Sequence, residues 1–435
     1  MTTFERFERS IPELMTELAP AHVPDYFDDM LRTTATTSQR PSWSYPERWL
    51  PVEITARPLT SRSFPWRPIV VLALIALLVA AGLAVYVGSQ NRVPPPFGAA
   101  GNGVLFYRAS DGSIVSLDPV DGSTATVLPA SEKEVDPLPS RDGRRIALVP
   151  YGSSTSAPIT VRGVDGSDQV TLVGVYREID AVDWSPDDSD LAIVSNQGGL
   201  QSITVAASDG TAAHTLALGR QVSLISYLPD GRLATVAGER PGDACPGDDA
   251  TRAPCALFVV NSDGTGLDML IPAADFHGIN TIAPSPDGTK LLWVEWNIGT
   301  GNVADPEAPG RLHVYDLRAG VDRRLADDDF PVPYNINRAW FSPDGSSILF
   351  DLFEATPNHW AVVSLAGGAP IRIGQGWPQN GTDASWAPDG RSVLARYPTS
   401  DTTSELWLLD PSGGGADRRL DGNLPYLPPW QRVAR

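Results

Sequence analysis

From Trp340 to Phe350 the chain reads WFSPDGSSILF, a Ser-Pro-Asp-Gly tetrad set between two short apolar runs. Related stretches occur at 140–148 (SRDGRRIAL), 184–193 (WSPDDSDLAI), 227–236 (YLPDGRLATV), 285–294 (SPDGTKLLWV) and 386–395 (WAPDGRSVLA). The tetrad suits a tight turn: Pro presets φ, Asp bonds nearby main chain, and Gly accepts the positive φ that follows. The flanking residues alternate or run apolar over four to six positions, which is the pattern of short strands. A further strand ending in an Asp/Gly turn comes next, as in LFVVNSDG (257–264) and ELWLLDPSGG (405–414), and then a short segment such as DRRLA or DRRLD. The predicted unit is a four-stranded antiparallel meander.

The turn aspartates Asp142, Asp187, Asp230, Asp287, Asp344 and Asp389 recur every 43 to 57 residues. A four-stranded unit at that period predicts a β-propeller, because no single unit can bury both of its apolar faces alone. The two longest spacings carry insertions at 239–254 and 297–310, read as loops at blade edges. Residues 103–128 supply three strands with no Ser-Pro-Asp-Gly strand ahead of them, and YLPPWQR (426–432) supplies a lone first strand with Trp430 placed like Trp184 and Trp386. Joining the two ends in one blade gives seven blades and removes two exposed sheet edges. Six blades is the alternative if the N-terminal strands pack elsewhere.

These Ser-Pro-Asp-Gly hairpins, with a preceding Trp or Phe, resemble the repeats of TolB-type propellers and are similar to the propeller of prolyl-oligopeptidase-like peptidases. The resemblance covers roughly residues 100–435 and implies the fold. Departures exist: Arg141 replaces Pro in the first repeat and Asp188 replaces Gly in the second.

One segment breaks the alternation. Residues 68–88, PIVVLALIALLVAAGLAVYVG, contain no charge and match the ~20 apolar residues that cross a bilayer core as a helix. Trp66 and Tyr86 flank the run as interfacial aromatics do. Arg40, Arg48, Arg57, Arg62 and Arg67 precede it and only Arg92 follows closely, so the positive-inside rule puts residues 1–67 in the cytoplasm and the rest outside. The expected organisation is a cytoplasmic segment 1–67, a transmembrane helix 68–88, a linker 89–102 and a propeller 103–435. Cys245 and Cys255, the two cysteines of the chain, fall in the exported part. Their spacing in an oxidising compartment suggests a loop disulfide, with two free thiols as the other reading.

Within the cytoplasmic segment, VPDYFDDMLRTTA (23–35) reads as a helix with Tyr26, Phe27, Met30 and Leu31 along one face. IPELMTELA reads as a shorter helix before it, and TSQRPSWSYPERWLP (37–51) suits a headgroup region. This lead resembles the cytoplasmic part of single-span actinobacterial proteins, some of them similar to membrane-bound anti-sigma factors. That resemblance implies a sigma factor as partner of Tyr26, Phe27, Met30 and Leu31. The zinc motif H-x-x-x-C-x-x-C of the commoner anti-sigma pattern is absent, as residues 1–67 hold no cysteine.

The net charge of −19 and a pI near 4.6 exclude a nucleic-acid partner, which needs a basic surface. No G-x-S-x-G elbow, phosphate loop or H-x-x-x-H pair occurs, and the five histidines are scattered. The aspartates shared by the repeats are assigned a main-chain role. The acidic loops DDD (327–329) and CPGDD (245–249) read as solvated loops rather than Ca²⁺ sites. No cofactor, metal or catalytic residue is expected. The function expected is a non-enzymatic, single-span membrane protein whose extracytoplasmic propeller binds a ligand or protein, with the cytoplasmic helices passing a signal to a regulator such as a sigma factor. Two other readings stay open: an envelope scaffold on a simple anchor, and an enzyme with its site in the propeller channel.

Overall fold

A computed structural model describes residues 26–36, 70–77, 93–130, 135–151, 157–174, 176–197, 199–243, 245, 255–273, 277–297, 311–325, 336, 338–352, 359–374, 383–400, 404–420, 424 and 426–435. The chain divides into two compact units, Met1–Gly88 and Ser89–Arg435.

In the first unit the described residues form two helices, Phe27–Thr36 and 70–77. The first coincides with the helix read at 23–35, less its N-terminal residues. Tyr26, Met30 and Leu31 are all more than half exposed on it, while the Phe27 side chain lies outside the described set. The second helix falls inside the uncharged run 68–88, whose remaining residues lie outside the described ones, as does IPELMTELA. No helix among the described residues is long and apolar enough to cross a membrane.

In the second unit, the apolar alternation builds seven four-stranded antiparallel sheets. Blades 1 to 6 follow in chain order: 136–171, 181–215, 222–271, 277–324, 339–373 and 383–420. Blade 7 takes its inner strand, Trp430–Val433, from the C-terminus and its other three from Gly101–Arg108, Ile114–Leu117 and Thr124–Leu128. Leu105 faces Trp430 and Gly101 faces Val433 across this junction. The ring is therefore closed by hydrogen bonds between its two ends, and the six-blade alternative falls. The N-terminal strand starts at Gly101, two residues before the stretch read from the sequence.

Period-2 alternation sends successive side chains to opposite faces, and here both faces are apolar. In blade 2, Leu191 and Ile193 pack with Ala147 and Val149 of blade 1, while Ala192 and Val194 pack with Val222 and Leu233 of blade 3. Among the described residues seven such clusters occupy the seven blade boundaries, the last two joining Leu394 and Leu406 of blade 6 to Leu105 and Leu117 of blade 7, and Phe106 and Ile114 of blade 7 to Ile146 and Leu148 of blade 1. Each fully buried Leu at these seams contributes on the order of 2 kcal/mol relative to exposure. No blade keeps that contribution without its neighbours.

The repeated turn has a repeated bonding pattern. Oδ1 of Asp142, Asp187, Asp287 and Asp344 accepts the N–H two residues on and the hydroxyl of the serine two residues before. That serine hydroxyl in turn accepts the N–H five residues on. The tetrad thus satisfies its own main chain where the sheet pattern stops.

Candidate functional site

The inner strands of all seven blades surround a central channel. Its mouth at the end bearing the Ser-Pro-Asp-Gly turns is a cavity of about 480 Å³. Pro286, Pro343 and Pro388 of the turns form part of its rim, and Trp340, Trp386 and Trp430 present aromatic surface from blades 5, 6 and 7. In a repeat with Pro at the second turn position the rim is apolar. At blade 1 that position is Arg141, so the first departure from the repeat puts a cation at the mouth.

Arg141 is held from below. Its Nη2 donates to Asp183 Oδ1 at 2.7 Å and its Nε to the Trp184 carbonyl at 2.8 Å, both in blade 2. Asp183 Oδ2 also accepts the Tyr227 N–H at 2.7 Å, so this carboxylate ties blades 1, 2 and 3 together beneath the rim. The second departure meets the first: Asp188 Oδ1 accepts the Arg141 N–H at 2.8 Å and Oδ2 the Asp142 N–H at 2.9 Å. Burial pushes the Asp188 carboxyl above its ordinary range, against the pull of those two donors. The blades with the altered tetrads are as complete as the others.

The indoles show a second pattern. Trp184 Nε1 donates to the Leu138 carbonyl at 3.2 Å and Trp386 Nε1 to the Trp340 carbonyl at 3.4 Å, each stapling its blade to the one before. Trp430 occupies the matching place in blade 7, yet its Nε1 is buried with no hydrogen-bond partner among the described residues. The same holds for Arg432 Nε, two residues on along the same strand, and for Ser385 Oγ in blade 6. Burial, and then the Arg141 charge, lower the Arg432 guanidinium to about 10.

The mouth is not bare. Residues 93–100, VPPPFGAA, part of the expected linker 89–102, run past it, with Pro96, Phe97 and Gly98 on its lining. Arg432 Nη2 donates to the carbonyls of Pro95 (2.7 Å) and Gly98 (2.8 Å). The Ala100 N–H donates to the Pro388 carbonyl at 2.8 Å, and Arg435 Nε to the Ala100 carbonyl at 3.1 Å. The Arg141 guanidinium sits 4.2 Å from the centre of the half-buried Phe97 ring, a cation–π contact.

The residues singled out from the sequence lie elsewhere. Cys245 and Cys255 are joined (S–S 2.01 Å) at the end of blade 3 away from its Pro-Asp-Gly turn, where Gly238 faces Cys255, with Cys245 buried in the cluster between blades 3 and 4. Tyr26, Met30 and Leu31 belong to the first unit. Both acidic loops lie outside the described residues apart from Cys245 itself, and no group of His, Cys, Asp or Glu side chains arranged to hold a metal ion occurs among the described residues. A further cluster lies in blade 4: His313 Nδ1 meets Asp322 Oδ2 at 2.6 Å and its Nε2 meets Glu295 Oε2 at 3.3 Å, with Trp293 stacked on the ring at 4.1 Å. Strand pairing in blade 4 assembles these residues, and no linear motif connects them.

Among solved structures, the chain is similar to the β-propeller domain of the trilobed protease from Pyrococcus furiosus: 15% identity, 75% of this chain, 96% of that one, TM-score 0.50. It is also similar to a prolyl endopeptidase, at 11% identity over 74% of this chain and 49% of that one, TM-score 0.53. The chain spans about half the length of that enzyme. TolB from Acinetobacter baumannii matches at 16% identity over 75% of this chain and 82% of that one, TM-score 0.45. The sequence matches no family profile and no curated protein. At these identities the likeness is one of fold, a β-propeller. The trilobed protease propeller is described as having an open velcro topology, whereas here Trp430–Val433 and Gly101–Arg108 pair in one blade.

Proposed function

We propose that this chain is a non-catalytic, membrane-anchored binding protein whose propeller takes a protein partner at the turn-end mouth of its channel. The observation that carries this reading is the mouth: about 480 Å³, lined by every blade, with three tryptophans and a braced arginine on its wall. Rigid aromatic surface beside an oriented guanidinium is the composition of binding hot spots. The uncharged run 68–88 and the arginines before it support an anchor with its N-terminus in the cytoplasm and the propeller outside. The Cys245–Cys255 bond suits such a compartment. On the helix 27–36, the exposed Tyr26, Met30 and Leu31, together with Phe27, would engage a cytoplasmic regulator such as a sigma factor.

The test is in-cell crosslinking of the tagged full chain. An extracytoplasmic partner should be captured and lost with Arg141→Met or Trp386→Phe. A cytoplasmic regulator should be captured and lost with Tyr26→Ala/Met30→Ala. Capture indifferent to the mouth variants would refute the mouth as the site. Capture of extracytoplasmic partners alone would favour the second reading, an envelope scaffold whose N-terminal unit only anchors it.

A further inference from the structure

We propose that the channel mouth recognises proline-rich extended segments followed by an aromatic residue, and that residues 94–98 are a self-supplied occupant which an outside segment must displace. The inference rests on the mouth being the partner site.

The wall and the strap match in hydrogen-bonding character. Pro94, Pro95 and Pro96 have no N–H, and each proline biases the residue before it to extended conformations, so this stretch offers carbonyls and no donors. The wall offers a donor in Arg432 Nη2, which bonds two strap carbonyls, and two further donors, Arg432 Nε and Trp430 Nε1, belong to side chains that line the cavity and are buried without partners among the described residues while the strap is seated. Tryptophan-lined grooves suit proline-rich segments for the same reason, a pre-extended, acceptor-only main chain against aromatic faces. Specificity beyond proline comes from Arg141, whose guanidinium faces Phe97 and is aimed by Asp183 and the Trp184 carbonyl. These contacts on the strap use Pro95, Phe97 and Gly98, a short register that another chain can reproduce.

The strap is a resident competitor. Tethering gives it an effective concentration in the millimolar range, so a free peptide of the same sequence binds poorly while the strap is seated. Two of the strap's bonds to the wall are main-chain carbonyls at a single guanidinium nitrogen, and two donors of the lining residues Arg432 and Trp430 have no partner among the described residues. An occupant that meets them in addition would displace it.

The experiment uses the full chain in detergent and two labelled peptides, VPPPFGAA and VAAAFGAA, read by fluorescence anisotropy. Replacing Phe97 by Ala unseats the strap, and VPPPFGAA should then bind about tenfold tighter than to the unaltered chain. It should also bind about tenfold tighter than VAAAFGAA. Adding Trp430→Phe, which keeps a ring and removes the donor, should weaken that binding. If Phe97→Ala does not fold by near-UV circular dichroism, Phe97→Leu replaces it. Equal affinity for the two peptides, or affinity indifferent to the Phe97 change, would overturn the proposal. If either happens while Arg141→Met still abolishes partner capture, the strap idea falls alone. If capture is also indifferent to Arg141→Met, the mouth falls with it.

Discussion

Asp188 reaches across a blade boundary and holds the turn that carries Arg141, accepting the Arg141 N–H at 2.8 Å and the Asp142 N–H at 2.9 Å. It does so from the left-handed region (φ 60°), at the place where the other repeats have glycine. Two departures from the repeat thus form one device: the acid fixes the loop, and the loop points the arginine at the mouth. Asp188→Gly relieves about 1 kcal/mol of left-handed strain but forfeits hydrogen bonds to a charged acceptor, each on the order of 1.5–3 kcal/mol. A net loss of roughly 2–5 kcal/mol is expected, read as a melting temperature lower by several degrees.

The two sites should also be coupled. Arg141→Pro removes the very N–H that Asp188 accepts, so the double variant Asp188→Gly/Arg141→Pro should lose less than the sum of the singles, by about 1 kcal/mol. Strict additivity in calorimetry would show that the two departures are unrelated.

Gly143 follows Asp142 in the same turn, and a side chain there meets the closing strand. Its φ is 70°, and a Cβ would overlap the Arg432 carbonyl oxygen. Gly231, the equivalent residue of blade 3, has φ 87° but open space around it. Gly231→Ala should therefore cost only the ~1–2 kcal/mol of the left-handed conformation. Gly143→Ala should cost clearly more, because Trp430–Val433 must shift and the ring closure with it. Limited proteolysis near residue 430 should rise for Gly143→Ala and not for Gly231→Ala. Equal behaviour would mean that the C-terminal strand is not what closes the ring.

The ring was legible in the sequence because six of the seven blades carry the same local signal. A turn that satisfies its own main chain, as at Ser342, Asp344 and Gly345, is encoded by a few adjacent residues, and six copies that share the aspartate reveal the period. The split blade was legible as well, since Trp430 repeats the place of Trp184 and Trp386. The mouth was not. Arg141 and Asp188 looked like flaws in two repeats, and their partnership exists only across the boundary between blades 1 and 2. VPPPFGAA has the composition of a linker, and only Arg432, more than three hundred residues away, gives its carbonyls a partner. His313 and Asp322 meet through register within blade 4, which a reading of single residues does not supply.

The Cys245–Cys255 bond closes a short loop (sequence separation 10) onto the end of the sheet where Gly238 faces Cys255. In the chain-entropy account a loop of about this length is worth roughly 2–3 kcal/mol. Cys245 is 1% exposed and sits among Leu257, Leu291 and Trp293, so a reductant reaches it only when blade 3 opens. Under a mild thiol the bond should survive in the native protein and break near the unfolding transition. The reduced chain should then melt several degrees lower. Rapid reduction at low temperature, followed by mass-tagging of free thiols, would contradict that protection.

His313 gives the propeller a pH dependence away from the mouth. Burial alone would lower its pKa, but the hydrogen bonds to Asp322 and then Glu295, with the charges of both carboxylates, raise it above the ordinary imidazole value. Asp322 is itself fixed by Trp293 Nε1 at 2.9 Å, so the acceptor is oriented rather than free to swing. For a histidine whose folded pKa lies above its unfolded value near 6.5, the stabilisation is complete below about pH 6.5 and is lost as pH rises through the folded pKa. The full chain should therefore melt progressively lower on going from about pH 6 to about pH 9. His313→Asn removes the titrating group and should flatten that slope while lowering stability at the acid end. Asp322→Asn removes the first-named partner and should bring the His313 imidazole pKa down, read from its ring-proton shifts by NMR. Parallel melting curves for the unaltered chain and His313→Asn across this range would show that the cluster serves packing alone.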